Sequence, residues 1–250
     1  MQFQTRTILA AAALSLGLIS ATGANATLIV KLGGQAVYDT DLNITWLADA
    51  KLATTNNFGV SGICTGGLCS TGSMTWDTAQ QWIGGMNTAN YLGYHDWRLP
   101  TMIDTGSPGC DFAYSGTDCG YNLSKGTSEM AHLFYDELGN KAYYDPSGAG
   151  PQLGWGLGNT GPFINLDASA SSVYGLYWTG TEYLPDTANE AWAFGFGSGF
   201  QGFNFKHLDA FNAWAVRTGE VASASVPEPA TMWLIGLGLL GLIGMSRKHK

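Results

Sequence analysis

The sequence predicts an α+β fold, and three observations carry that prediction. Two early segments space apolar residues as helices do, several later segments alternate aromatic with small residues as strands do, and 35 glycines punctuate the chain. Helices come first and strands follow, an order that favours antiparallel strands joined by glycine turns over a parallel alternating sheet.

Residues 27–38, TLIVKLGGQAVY, read as a strand or two broken at Gly33-Gly34. In DTDLNITWLADAKLA, Asp39, Asp41 and Asn43 alternate like the first half of a calcium loop, but Ile44 stands where that loop needs glycine and Ala50 where it needs glutamate. The expectation is therefore a turn feeding a strand at Ile44–Leu47, with a weak calcium site near Asp39 and Asp41 left open. Residues 74–94 form the best helix candidate: Thr75 or Thr78 caps it, and Ala79, Trp82, Ile83 and Met86 make an apolar face. A second helix is predicted over 128–138, lined by Met130, Leu133, Phe134 and Leu138; Asp136 and Glu137 oppose its dipole and are tolerated if solvated. Downstream, 173–183, 190–206 and 212–219 read as strands. Trp192, Phe194 and Phe196 are expected on one aromatic face, and Trp214 beside Val216.

The two ends have a different character. MQFQTRTILAAAALSLGLISATGANA has an early arginine, an apolar middle and Ala24-Asn25-Ala26, the layout of a secretory signal over 1–26. At the other end VPEPATMWLIGLGLLGLIGMSRKHK joins Pro227-Glu228-Pro229 to an apolar stretch, 230–245, and a basic tail. That stretch is near the lower limit for a bilayer span and is expected to be a transmembrane helix, with the basic tail on the cytoplasmic side. The three-part pattern over 226–250 resembles a PEP-CTERM sorting signal. The resemblance implies a Gram-negative source, an exosortase as processing partner, transient inner-membrane anchoring and delivery to the cell surface or beyond, in the setting of biofilm matrix.

Between the ends, 27–225 is one domain's length and retains 18 acidic and 7 basic residues, a net charge of −11. Such a domain repels nucleic acid, so no nucleic-acid partner is expected. Four cysteines, Cys64, Cys69, Cys110 and Cys119, read as disulfides in an exported chain. Nearest-neighbour pairing pins two glycine-rich loops, although three connectivities are open. Paired CxxC spacing is absent, which argues against a zinc site on the cysteines.

The stretch GYHDWRLPT, 93–101, has its own internal logic. On an extended segment Trp97 and Leu99 share a face that can enter the core, while Asp96 and Arg98 share the other; Pro100 restricts Leu99 to extended geometry. Arg98 has five donors with which to tie loop carbonyls or a carboxylate. A triad from His95, Asp96 and Ser124 or Ser128 fails because adjacent side chains on extended backbone point apart. Glu182 and Asp186 have nothing to fix them as a carboxylate pair, and the four histidines, His132 on a helix among them, carry no metal signature. No enzyme, cofactor or metal is expected.

Taken together, Trp46-Leu47, the Ala79 and Trp82 helix, Asp96-Trp97-Arg98-Leu99-Pro100-Thr101, Tyr177-Trp178-Thr179, Ala193-Phe194 and Ala215-Val216-Arg217 resemble the Lcl C-terminal domain family across most of 27–225. The resemblance implies a C-type-lectin-like or formylglycine-generating-enzyme-like fold and an adhesive or sugar-binding role outside the cell. It casts Trp46, Trp82, Asp96, Trp97, Arg98, Leu99, Pro100, Trp178, Trp214 and Arg217 as structural residues. Two departures stand out: Gly180 interrupts the hydroxyl run after Trp178, and Thr218-Gly219 follows Arg217 where relatives have proline and valine. Tyr114, Tyr121, Tyr143, Tyr144 and Trp155 lie in glycine-rich or polar segments and are the expected ligand platform. The expected partners are neutral exopolysaccharide or another envelope component; the alternatives are a purely structural or protein-binding matrix role, or a hydrolase.

Overall fold

The computed structural model describes residues 27–67, 69–106, 114, 118–123, 126–167 and 175–222. The expected signal segment 1–26, the sorting segment 226–250, Cys110 and Ser124 lie outside them.

The N-terminal strand pattern breaks at the paired glycines. Strand β1 (Leu28–Lys31) ends in a 3-10 turn, Leu32–Gly34, where Gly33 and Gly34 take φ of 64° and 94°, values that favour glycine. Strands β2 (Ala36–Asp39) and β3 (Ile44–Leu47) follow, joined by the DTDLN turn. Strand β7 (Val216–Thr218) returns from the far end of the domain to pair with β3, giving an antiparallel sheet in the order β1-β2-β3-β7. A second antiparallel sheet, β4-β5-β6, consists of Leu176–Glu182, Glu190–Gly195 and Phe200–Phe205. The architecture is α+β with antiparallel sheets, as the residue patterns predict.

Helix α1 (Trp76–Thr88) begins at Thr75, whose hydroxyl accepts from the Thr78 amide, and buries Ala79, Trp82, Ile83 and Met86. It is shorter than the predicted 74–94. Asn90 and Leu92 have φ of 50° and 55°, and the chain leaves through a 3-10 turn, Tyr91–Gly93. The second helix also differs. Ser128 caps α2 (Glu129–His132), which passes into a π-helical turn, Leu133–Glu137. That extra residue per turn rotates Glu137 inward, so its side chain is only 3% exposed rather than solvated.

The core is built on indoles. Trp46, Trp82, Trp178, Trp192 and Trp214 are fully buried. Trp214 links the sheets, with ring centroids 4.8 Å from Trp46 on β3, 5.8 Å from Tyr177 on β4 and 5.7 Å from Phe196. Four of the five indole N–H groups donate, to Asn56 O from Trp82, Met74 O from Trp178, Asp104 Oδ2 from Trp192 and Leu47 O from Trp214; that of Trp46 is buried without a partner. The single aromatic face expected for 192–196 divides. Phe194 and Phe196 pack on Phe134 in the main core, whereas Trp192 joins Tyr183, Phe203 and Met102 in a satellite cluster. Both faces of β5 are buried, so the sheet has two apolar sides to fill.

The expectation of a transmembrane helix is corrected here: among the described residues no helix is long and apolar enough to cross a membrane, and 230–245 lies outside them.

Candidate functional site

A backbone hairpin and one asparagine bring the five platform aromatics together. Lys141 pairs with Gly156, which folds Trp155 back onto Tyr143 at 4.7 Å between centroids. The Tyr143 amide donates to Ser198 O, fastening this hairpin to the β5–β6 turn. Gly120 exchanges both backbone hydrogen bonds with Gln201 of β6, which sets Tyr121 over Phe200 at 5.2 Å. Asn122 Nδ2 then donates to Tyr114 O and to Tyr144 O, clamping the two loops. Ring contacts run from Trp155 through Tyr143, Tyr144 at 4.8 Å and Tyr121 at 5.1 Å, and Tyr114 lies 4.9 Å from Tyr144. Close packing beneath the row needs glycine: a Cβ at Gly148, φ 83°, would sit 2.9 Å from the Tyr114 ring, and one at Gly150 2.7 Å from Tyr144. Tyr114 is 39% exposed and the other four are partly exposed. Burial, then the neighbouring phenols, push the Tyr121 hydroxyl up, so it stays protonated and able to donate. The row offers ring faces and edges for apolar stacking, with hydroxyls and loop carbonyls for polar contacts.

GYHDWRLPT lies elsewhere and is tied down from Asp96 through Pro100. Trp97 and Leu99 are each 2% exposed. The Asn87 side chain pairs with both the N–H and the C=O of Trp97 at 2.8 Å, and the Trp97 indole donates to Tyr91 O. Arg98 grips Glu129 with two parallel bonds of 2.8 and 2.7 Å, and its backbone pairs with Val216. Asp96 takes two bonds from Arg217, 2.8 and 3.0 Å, and Arg217 also stacks over Tyr94 at 4.2 Å. Arg217 holds the Asp96 carboxyl below the usual range. Pro100 is buried, and its carbonyl accepts from the Gly180 amide at 2.7 Å; the Thr179 hydroxyl donates to Trp192 O and Thr181 bonds Met102. The segment thus connects α1, α2, β4 and β7. His95 is exposed.

The carboxylates weighed for catalysis are used otherwise. Glu182 pairs with Lys206, Asp186 accepts from Asn189, and Ser128 is a helix cap. In the calcium-like turn, Asp39 Oδ1 accepts from the Asp41 and Leu42 amides, and Asn43 Oδ1 is engaged by the Tyr38 hydroxyl, so the alternating oxygens do not converge as a loop of that type requires. Cys64 and Cys69 form a disulfide with Cα atoms 6.1 Å apart; Cys119 is disulfide-bonded as well, and no described cysteine is free.

One grouping was missed. The His132 imidazole, 5% exposed, lies between β2 and the π turn. Its Nε2 is 3.9 Å from Asp39 Oδ2, 3.4 Å from Asp41 Oδ2 and 3.5 Å from Glu137 Oε1, and its Nδ1 is 3.4 Å from Asp136. The separations from Nε2 exceed the usual N–H···O range of about 2.7–3.2 Å. Burial pushes the Asp39 and Glu137 carboxyls up, and Asp39 raises Glu137 further. Asp39, His132 and Glu137 offer donor atoms within 4.8 Å of one another and could hold a metal ion. The sequence shows only the His132–Asp136 pair, four residues apart on one side of a helix; Glu137, one residue further, joins it through the π turn.

Residues 35–114 match the Lcl C-terminal domain. Residues 225–248 match the PEP-CTERM protein-sorting motif. No curated protein and no solved structure matches the chain. The Lcl C-terminal domain match takes in β2, β3, α1 and DWRLPT, while β7, which pairs with β3, lies beyond it. The sorting motif implies export and processing by an exosortase. The two matches together support an exported, non-catalytic protein of the cell surface or matrix.

Proposed function

We propose that this exported protein binds neutral polysaccharide of its own cell envelope or matrix, through the row formed by Trp155, Tyr143, Tyr144, Tyr121 and Tyr114, and that its domain extends over 27–225 as a C-type-lectin-like unit. One observation carries the reading. Five aromatics, three on the 141–156 hairpin and two on other loops, meet in one continuous row that is still reachable by solvent, with Tyr114 39% exposed. A row meant only for packing gains from complete burial; one that stays partly open retains ring surface for a ligand's apolar face. The net charge of −11 over 27–225 favours an uncharged glycan over a sulfated or otherwise anionic one. The experiment is a pull-down of the protein with the producer's own exopolysaccharide alongside a glycan array. Retention on neutral glycans that survives 0.5 M salt supports the reading, since salt at that level screens bulk charge. Absence of retention on every glycan overturns it and leaves the protein-binding matrix role.

A further inference from the structure

The residues around His132 have a chemistry that the polysaccharide reading does not use. Three side-chain atoms there, Asp39 Oδ2, His132 Nε2 and Glu137 Oε1, are buried and lack a hydrogen-bond partner. Buried polar atoms are normally satisfied, and three aimed at one point need a common partner. Their positions are fixed from behind. Asp39 has its other oxygen held by the Asp41 and Leu42 amides, and the π turn sets Glu137 beside the imidazole. Such turns concentrate at functional sites.

We propose that Asp39, His132 and Glu137 bind a divalent transition-metal cation of the zinc class, three protein ligands with the remaining position open toward Asp41 at the solvent side. Distances separate this from an ion-pair network. Direct charge-assisted bonds would close to about 2.8 Å, whereas the carboxylate oxygens stand 3.4–3.9 Å from Nε2. Ligands of a tetrahedral ion with bonds of about 2.1 Å lie about 3.4 Å apart. An imidazole nitrogen among carboxylates suits zinc or manganese, whereas calcium and magnesium favour oxygen-only shells. Asp136, 3.4 Å from Nδ1, occupies the place of the carboxylate that orients a ligating histidine. Asp41, whose side chain is 56% exposed, provides the way in. The ion would join the β2–β3 turn to α2, two elements far apart in sequence.

The test uses the full-length, tag-free chain, stripped with chelator and titrated calorimetrically with Zn²⁺, Mn²⁺, Ca²⁺ and Mg²⁺, with bound metal counted by mass spectrometry. The expected result is one Zn²⁺ per chain with Kd of about 1 μM or tighter, and a loss of about 100-fold in His132→Gln, Asp39→Asn and Glu137→Gln. The near-isosteric Glu137→Gln and Asp39→Asn variants keep the test valid if His132→Gln fails to fold, with circular dichroism in chelator as the check. No zinc or manganese bound at 100 μM, equal zinc affinity in folded variants and wild type, or a preference for calcium would each overturn the proposal.

Discussion

Trp97 and His95 are separated by one residue and have opposite physical situations. Trp97 is 2% exposed, with its indole N–H and both its backbone groups engaged, so Trp97→Ala empties a cavity and removes the indole bond to Tyr91 O; the expected loss is about 3–5 kcal/mol. His95 is exposed, and His95→Ala should stay within about 0.5 kcal/mol. Chemical denaturation of the two variants checks this, and equal losses would contradict it. Asp96 gives a pH prediction. Its folded-state carboxyl is held below the ordinary value, first by hydrogen bonds from Arg217, so its contribution is present above the unfolded pKa and disappears as pH falls through the lowered one. Because the Asp96 side chain is half exposed, that contribution is about 0–1 kcal/mol. Wild type and Asp96→Asn should therefore differ slightly at pH 7 and converge below about pH 4; a gap that widens in acid would refute the assignment.

Elements, more than single residues, explain what the sequence left unread. The Ala79, Trp82, Ile83 and Met86 stripe is a property of one helix and is visible in any window that contains it. The Arg98–Glu129 and Asp96–Arg217 pairs span 31 and 121 residues, and no periodicity reports such partners. The cluster at His132 was hidden for two reasons: its carboxylates arrive from β2, and a π turn, which has no dependable sequence signature, rotates Glu137 inward. The aromatic row escaped that difficulty only in part. Its members are conspicuous as aromatics in glycine-rich segments, but their convergence depends on Asn122 and on the Gly120–Gln201 bridge. The β5–β6 turn offers a direct test of packing at this scale. Gly199 has φ of 75°, and a Cβ there would lie 2.5 Å from the Tyr135 hydroxyl, which already donates to Gly199 O. Gly199→Ala should cost about 2–4 kcal/mol through strain and overpacking, measured by urea unfolding; a loss under about 1 kcal/mol would show that the turn relaxes.

At the scale of the molecule, the chain places one aromatic-cored α+β domain ahead of a sorting motif. Disulfides suit an oxidising compartment outside the cytoplasm. The sheet that joins β3 to β7 and the DWRLPT ties make the frame, and the partly open tyrosines lie on the hairpin and loops fastened to β6. This division gives stability to the buried indoles and, on the proposed function, leaves recognition to the half-exposed rings. The most direct measurement is a calorimetric titration of the producer's exopolysaccharide into wild type, Tyr114→Ala and Trp155→Ala, each first shown to unfold at a midpoint close to wild type. The account predicts saturable binding that each truncation weakens by about 2–13-fold, the equivalent of about 0.5–1.5 kcal/mol per aromatic contact. Binding of equal strength in all three proteins would contradict it.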